Sequence, residues 1–242
     1  MSDKRNLNVC LTPELFPIFS EGKKIVVVVD VLRATSVIST AFHYGIKDVI
    51  AVESLEEAAR YKGKENCIVA AERNAEALEG FDYGNSPFQY MNDEIKGKTL
   101  VLTTTNGTRA INMAKQHVVI ISSFVNFKEV YNFIENREED VLIFCSGWKG
   151  NFNMEDSLFA GKLAEKLLNF DNFQSNCDSV LASISLYKSA KNDLFLYLEN
   201  SAHRNRLKHL NMEPDTKFCL SPTFESDIVP ILKDGKLIKY EK

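Results

Sequence analysis

The sequence lacks the features that mark secreted, membrane-spanning and zinc-binding chains. Its five cysteines form no CxxC pair, so they indicate neither a zinc cassette nor a disulfide framework. No apolar run approaches the roughly 20 residues that a membrane-spanning helix needs, and the N-terminal segment has no apolar signal core. We therefore expect a soluble, cytoplasmic protein that has no membrane partner.

The sequence also lacks a basic excess and any composition that would divide it into domains. Lys and Arg number 29 against 33 Asp and Glu, giving a formal net charge of −4, so nucleic acid is not an expected partner. Only six prolines occur, and no Pro/Gly/Ser linker interrupts the chain, which predicts one domain over residues 1–242. The sequence leaves a homo-oligomer open.

Several common catalytic motifs are missing. No GxxxxGK[ST], GxGxxG, HExxH or GxSxG pattern appears, which removes the usual parts of ATP-dependent transfer, nicotinamide chemistry, zinc hydrolysis and serine hydrolysis. A cysteine phosphatase needs an arginine six residues after its cysteine, and the residue six beyond Cys145 is Asn151. The histidines are dispersed, and the Lys/Arg-bearing stretch around His203 and His209 predicts a solvated helix face.

Strand and helix patterns alternate along the chain. Residues 24–32 form an almost continuous β-branched run, which is typical of a strand buried on both faces. This alternation predicts an α/β fold with α/β/α layers, in which helices cover both faces of a largely parallel or mixed sheet. More helices and a last short strand are expected after residue 176. The predicted strands are 24–32, 48–52, 67–71, 98–105, 117–123 and 140–146, and the main predicted helices are 35–44, 108–116, 128–136 and 155–168.

Polar residues cluster where the predicted strands end. In open α/β sheets, ligands bind outside the carboxyl ends of the strands, where helix N-termini point at them. We therefore expect four polar stretches to meet at one edge of the sheet. They are residues 30–36, residues 72–74 with the glycine-containing loop 80–87, residues 103–109, and residues 145–147.

Asp30 is the most specific single candidate because it directly follows a run of four valines. It either caps the following helix or binds a metal ion. Arg33 either pairs with Asp30 or grips a phosphate, and Glu72 with Arg73 forms either a surface ion pair or a second acid–base combination of the same kind. Haloacid-dehalogenase-type phosphatases have a second aspartate two residues after the first, but here that position is Leu32.

Taken together, these segments resemble the 2-phosphosulfolactate phosphatase family of the coenzyme M pathway. The matching stretches run in order along nearly the whole chain, which makes the resemblance more specific than any one of them. They are VVDVLRATSVI at 28–38, ERN at 72–74, GFDYGNSP at 80–87, TTTNGTRA at 103–110, CSGWKGNFNMEDSLFAGKL at 145–163, and the closing segment 201–230.

The resemblance implies Mg²⁺-dependent hydrolysis of 2-phospho-3-sulfolactate, a small anionic phosphate ester, to 3-sulfolactate and phosphate. Carboxylates without thiolate or histidine pairs also favour Mg²⁺ over Zn²⁺. The nucleophile is left open between water and a side chain, with Asp30 ahead of Cys145. A phosphohydrolase acting on another small polyanionic ester and a non-catalytic anion-binding protein remain the alternatives.

The expected site combines acids, guanidinium groups and a hydrogen-bonding anion cradle. Glu155 and Asp156 have a second interpretation as first-turn acids of a helix. The expected catalytic residues are Asp30, Arg33, Glu72, Arg73 and Cys145. The expected substrate-binding residues are Thr35, Gly84, Asn85, Thr104, Thr105, Asn106, Gly107, Ser146 and Gly147. The expected Mg²⁺ ligands are Asp30 and Asp156, with Asp82, Glu155 and Glu72 as further choices.

Overall fold

A computed structural model describes residues 4–22, 24–74 and 76–241. Eleven strands within these ranges join one sheet. The strands are β1 (Arg5–Cys10), β2 (Ile25–Val29), β3 (Asp48–Ala51), β4 (Cys67–Arg73), β5 (Glu76–Ala77), β6 (Thr99–Thr103), β7 (Val118–Ser122), β8 (Val141–Cys145), β9 (Phe173–Gln174), β10 (Pro230–Lys233) and β11 (Lys236–Lys239).

Ten α-helices lie in the same described ranges, most of them connecting strands. They are α1 (Phe16–Phe19), α2 (Ala34–His43), α3 (Leu55–Ala59), α4 (Gly107–Met113), α5 (Phe127–Glu135), α6 (Met154–Leu167), α7 (Asp178–Ala190), α8 (Leu194–Tyr197), α9 (Ala202–Arg206) and α10 (Glu213–Leu220). Short 3-10 helices add single turns at Pro13–Leu15, Pro87–Tyr90, Asp93–Ile95, Phe124–Asn126 and Lys208–Leu210.

The sheet is mixed, with the order β5-β4-β6-β3-β11-β10-β7-β2-β8-β1-β9. Parallel pairing joins β4, β6 and β3 into one set and β7, β2, β8, β1 and β9 into another. The β10–β11 hairpin lies between the two sets and pairs antiparallel with β7 on one side and β3 on the other. The last two strands of the chain therefore occupy the middle of the sheet.

The core has two layers, one on each face of the sheet, and side chains of β2 point into both. All five residues of β2 are fully buried, and successive side chains of a strand point to opposite faces. Ile25, Val27 and Val29 pack in a cluster with side chains of α5 and α6, whereas Val26 and Val28 pack in a second cluster with side chains of α2 and α4. Helices therefore cover both faces of the sheet, as the sequence predicts.

The predicted fold class is confirmed, and the differences are local. The strand predicted over 24–32 ends at Val29, so Asp30 is the first residue beyond β2. Sequence reasoning missed β1, and it expected one short strand near the end where the structure has the β10–β11 hairpin. Within the described residues, no helix is both long enough and apolar enough to cross a membrane.

Candidate active site

A cavity of about 220 Å³ lies where β2, β4, β6 and β8 end, and we refer to it as the strand-end pocket. Both parallel sets of strands contribute to it, because Asp30 follows β2, Glu72 belongs to β4, Thr105 follows β6 and Trp148 follows β8. The pocket is lined by Asp30, Leu32, Arg33, Glu72, Asn74, Glu76, Asn85, Thr105, Asn106, Trp148, His203, Arg206, Leu207 and His209.

Asp30 lies at the entrance to α2 and is only 7% exposed. Its backbone N–H donates to Thr35 Oγ1 over 3.1 Å, and its own Oδ1 accepts from the Ala34 N–H over 3.4 Å. The side chain therefore contacts the first turn of α2, as the helix-cap interpretation predicts, and it also lines the pocket. The expected binding residue Thr35 is fully buried beneath it and fixes the turn.

Gly107 allows the turn after β6 to approach Asp30. A Cβ atom added at Gly107 would lie 2.7 Å from Asp30 Oδ2 and 2.5 Å from Ala34 Cβ. Only glycine fits so close to a carboxylate without displacing it. The β6 turn therefore lies directly against the strand-end acid, although Gly107 itself does not line the pocket.

Glu72 and its neighbour Arg73 occupy different places. Glu72 is 6% exposed and lines the pocket, and its Oε2 accepts from the Thr105 N–H over 3.4 Å. The Arg73 guanidinium instead donates to the Glu72 carbonyl oxygen over 2.7 Å and to Thr103 Oγ1 over 3.0 Å. Arg73 thus ties β4 to β6 and does not belong to the pocket lining.

Asp156 connects the turn after β2 with the turn after β8. It is fully buried, and its Oδ1 accepts from the Val31 N–H over 2.9 Å. Its Oδ2 accepts from Ser146 Oγ over 3.1 Å, from the Gly147 N–H over 3.2 Å and from Asn153 Nδ2 over 2.9 Å. Both oxygens are therefore engaged by protein donors, and Asp156 lies behind the pocket rather than in its lining.

Burial and neighbouring carboxylates raise the pKa values of the buried acids. Burial, followed by the carboxylates of Asp156 and Glu72, raises the pKa of Asp30 to about 8. Burial, followed by the carboxylate of Glu155, raises the pKa of Asp156 to about 7. These buried acids therefore hold protons at a higher pH than exposed carboxyl groups do.

Arg33 places a guanidinium in the pocket lining together with Asp30 and Glu72. It is 7% exposed, and its Nη1 lies 2.8 Å from Asp215 Oδ1 at the start of α10. Arg33 therefore forms an ion pair with an acid 182 residues away in the chain. This contact places a cation beside the strand-end carboxylates.

Residues of α9 and of the turn after it also line the pocket. The prediction of a solvated helix face was wrong for His203, which is 8% exposed and lines the pocket with Arg206 and the exposed His209. His203 Nδ1 lies 3.4 Å from Glu155 Oε1 in the first turn of α6. Burial and then Arg206, Arg33 and Arg204 lower the pKa of His203 to about 3, so its imidazole is neutral.

Glu155 is a buried first-turn acid of α6, as its second interpretation predicts. It is 3% exposed, and burial raises its pKa to about 7 against the opposing charge of Arg206. Its contact with His203 joins α6 to α9. Glu155 does not line the pocket.

Other expected site residues lie outside the pocket lining. Cys145 is fully buried in the core, and burial raises the pKa of its thiol well above the ordinary value, so its placement offers no nucleophile. Asp82 is exposed and its Oδ2 accepts from the Val69 N–H over 2.8 Å. Gly84 is buried, and its N–H donates to Gln89 Oε1 over 2.9 Å.

Three further residues of the expected cradle shape the turns behind the pocket. Thr104 Oγ1 accepts from the Thr108 N–H over 3.2 Å, which closes the turn into α4. Ser146 and Gly147 bind Asp156 as described above. Gly147 adopts a φ of +59°, and a Cβ there would collide with the Asn151 carbonyl oxygen.

Two buried side-chain atoms of the pocket-lining residues have no hydrogen-bond partner among the described residues. They are Asn85 Oδ1 and Thr105 Oγ1. A buried polar atom without a partner is costly, so a ligand that supplied one would recover that free energy. Asn106, in contrast, accepts through its Oδ1 from the Lys149 N–H over 2.9 Å.

Comparison with known proteins places this architecture in a family. A family model described as 2-phosphosulpholactate phosphatase matches residues 10–235. The chain belongs to the 2-phosphosulfolactate phosphatase family. The sequence resemblance is therefore confirmed.

Relatives named probable 2-phosphosulfolactate phosphatase align with most of this chain. Identity is 42% over 217 residues in Caldanaerobacter subterraneus subsp. tengcongensis, 40% over 215 in Thermotoga petrophila and 35% over 218 in Clostridium beijerinckii. These alignments cover 88 to 89% of this chain and 89 to 92% of the relatives.

Sequence reasoning within the family segments missed several pocket residues. Trp148, the chain's single tryptophan, lies in the same CSGWKG stretch as Ser146 and Gly147. His203 and Arg206 lie in the closing segment that matched the family but contained no recognisable site motif. A rare aromatic in a glycine-flanked turn was the available signal for Trp148. Nothing local distinguished Arg206 from Arg204, the other arginine of α9.

Proposed function

We propose that the protein hydrolyses 2-phosphosulfolactate, or a closely related phosphorylated hydroxy acid, to the free hydroxy acid and inorganic phosphate with the help of Mg²⁺. The strand-end pocket supports this proposal, because buried carboxylates and a buried guanidinium meet there at the ends of several strands. Membership of the family supports the substrate class.

Asp30 and Glu72 form a donor set that suits Mg²⁺. This ion usually takes one or two carboxylates, keeps several waters and accepts phosphate oxygens, and it seldom occupies an all-protein cage. No group of three or more acidic, histidine or cysteine side chains within residues 4–22, 24–74 and 76–241 is placed to form such a cage. Burial, followed by the carboxylates of Asp156 and Glu72, raises the pKa of Asp30 to about 8, and the repulsion between these carboxylates also favours a cation between them.

The reaction breaks the ester P–O bond and forms a new P–O bond to the incoming oxygen. When bound, Mg²⁺ would supply charge stabilisation to the phosphoryl oxygens. Arg33, held by Asp215, donates hydrogen bonds to those oxygens from a fixed position. Thr105 Oγ1, which has no partner among the described residues, and the Asn85 side-chain NH₂ can donate hydrogen bonds to the phosphate oxygens.

A phosphate-release assay tests this proposal directly. We expect the protein to release phosphate from 2-phosphosulfolactate in Mg²⁺ and to lose this activity in a chelator, with recovery when Mg²⁺ is restored. A panel containing 2-phospholactate and p-nitrophenyl phosphate defines the preference. Sulfolactate binding without turnover in Mg²⁺ would contradict the proposal and favour an anion-binding protein.

Substitution of Asp30 tests the acid on which the proposed site depends. We expect Asp30→Asn to lower kcat/KM by at least about 100-fold, because the amide keeps the shape but removes the charge that holds the cation. Circular dichroism should show a retained fold. The matched control is Asp93→Asn, whose side chain is 85% exposed outside the pocket lining and whose loss should leave turnover unchanged. Equal activity of both variants would remove Asp30 from the mechanism.

A further inference from the structure

Arg206 lies over Trp148 in the lining of the strand-end pocket. Its guanidinium carbon is 3.8 Å from the centroid of the indole ring, and both residues line the pocket. A guanidinium stacked on an aromatic face is held in place while its N–H edges stay available for hydrogen bonds. Trp148 follows β8, so this stack fixes a residue of α9 against a strand-end turn.

No residue that the structure describes uses the hydrogen-bonding capacity of Arg206. Among the residues that the structure describes, Arg206 makes no ion pair within 4.0 Å and no hydrogen bond. Arg33 is engaged with Asp215, and Arg73 is engaged with Thr103 and a backbone carbonyl. Arg206 is half-buried, so part of its hydration is lost, and this burial lowers its pKa against the opposing charge of Glu155. An anionic ligand would replace the lost hydration.

Arg206 and the strand-end groups approach the same small volume from different elements. Asp30, Arg33 and Glu72 come from the strand ends, whereas Arg206 comes from α9. The pocket of about 220 Å³ suits a ligand of a few carbon atoms with two or more anionic groups. A ligand whose phosphate lies at the strand ends can therefore present a second anion to α9.

We infer that Arg206, stacked on Trp148, binds an anionic group of the substrate that is not transferred, and so determines specificity for substrates with a second anion. This inference rests on the proposed function. It assigns Arg206 to the carboxylate or sulfonate of the hydroxy acid, and Arg33 to the phosphoryl group. Both groups offer the paired oxygens that a guanidinium binds.

The test compares Arg206→Ala with Arg204→Ala, which removes the same charge from the same helix. Arg204 packs over Phe195 at 3.9 Å and does not line the strand-end pocket. The substrates are 2-phosphosulfolactate, 2-phospholactate, which lacks the sulfonate, and p-nitrophenyl phosphate, which lacks any second anion. We expect Arg206→Ala to lower kcat/KM for 2-phosphosulfolactate about 10- to 100-fold and to change p-nitrophenyl phosphate hydrolysis less than about twofold. Arg204→Ala should change neither.

The 2-phospholactate reaction distinguishes the two anions. A penalty that persists with 2-phospholactate assigns Arg206 to the carboxylate, and a penalty that disappears assigns it to the sulfonate. An Arg206→Lys variant, which keeps the charge, should recover part of the loss. Equal losses on all three substrates, or equal effects of Arg204→Ala and Arg206→Ala, would overturn the inference.

Binding measurements separate this inference from the proposed hydrolysis. Calorimetry should show that Arg206→Ala weakens 3-sulfolactate binding about 10- to 100-fold and leaves inorganic phosphate binding within about twofold. This result would hold even if the protein released no phosphate from any ester. A wild-type protein that binds no sulfolactate, or a variant that binds it equally well, would refute the role of Arg206.

Discussion

At the scale of single residues, the site depends on acids that perform different tasks. Asp30 lines the pocket, whereas Asp156 binds backbone and side-chain donors from two separate turns. Because Asp156 accepts from Val31 next to Asp30 and from Gly147 next to Trp148, it fixes both walls of the pocket without occupying it. Its effect on catalysis would therefore pass through the positions of its neighbours.

The close contact between Gly107 and Asp30 gives a prediction at this scale. We expect Gly107→Ala to lower kcat/KM at least about tenfold and to lower the free energy of unfolding by about 1 to 3 kcal/mol, because the new methyl group displaces Asp30 and Ala34. Phosphate release and thermal unfolding measure the two effects.

Gly161→Ala provides the control for crowding alone. A Cβ at Gly161 would collide with the Ser183 carbonyl oxygen between α6 and α7, outside the pocket lining. This variant should lose stability while the folded fraction keeps its kcat/KM. A Gly107→Ala enzyme with full activity would show that the approach to Asp30 is not needed.

The position of Asp30 at a strand end was predictable from the sequence, because it depends only on the residues next to it. A run of β-branched residues determines where β2 lies, and the first polar residue after it must emerge at the strand end, which places Asp30. The same reasoning could not place Cys145. All five residues of β8 are buried, so alternation along the strand does not show which side chains reach the pocket.

At the scale of elements, α9 and α10 bring distant residues to the strand ends. Arg206 and Asp215 lie more than 170 residues after β2 in the chain, and their approach depends on how the C-terminal helices pack. Neither helix has a hydrophobic pattern that specifies this packing from sequence. The C-terminal half of the site was therefore beyond sequence reasoning, apart from the family resemblance of residues 201–230.

The ion pair between α10 and Arg33 gives a prediction for these elements. Both side chains are largely buried, at 8% and 14% exposed. Removing one partner of a buried ion pair is strongly destabilising, so we expect Asp215→Asn to lower the free energy of unfolding by about 3 kcal/mol. We also expect a raised KM for the phosphate ester, because Arg33 loses its fixed position.

Glu213→Gln provides the control within the same helix. Glu213 pairs with Lys217 on the exposed surface of α10, where solvent screens the interaction. Denaturant unfolding and steady-state kinetics of the two variants should show an effect of Asp215→Asn alone. Equal stability of both variants would mean that the Arg33–Asp215 contact does not support α10.

At the scale of the whole molecule, the buried acids link stability to pH. Burial, together with neighbouring carboxylates, raises the pKa of Asp30 to about 8 and that of Asp156 to about 7, and burial raises the pKa of Glu155 to about 7. The same groups in the unfolded chain have pKa values of about 4 and are ionised near neutral pH. The folded protein therefore holds more protons than the unfolded chain.

Because unfolding releases these protons, stability falls as the pH rises above about 4, and the fall ends near pH 8, where the folded acids have themselves ionised. In a chelator, the free energy of unfolding should therefore be lower at pH 8 than at pH 6.5. Mg²⁺ should raise the melting temperature more at pH 8 than at pH 6.5, because it stabilises the ionised acids. Thermal unfolding at both pH values tests this, and Asp30→Asn should reduce the slope. His203 acts at acid pH. Because its pKa is lowered from 6.5 to about 3 in the folded protein, its contribution to the free energy of unfolding should fall as the pH drops below about 6.5. A melting temperature that rises with pH in the chelator would contradict the prediction.

The central position of the β10–β11 hairpin affects how the protein assembles during synthesis. The ribosome produces β3 and β7 more than 100 residues before residues 230–239, yet these two strands meet only through that hairpin. The nascent chain therefore exposes two unpaired sheet edges until its last strands emerge, and such edges favour pairing with other chains. We conclude that trimming this tail would divide the sheet at its centre rather than shorten it at one side.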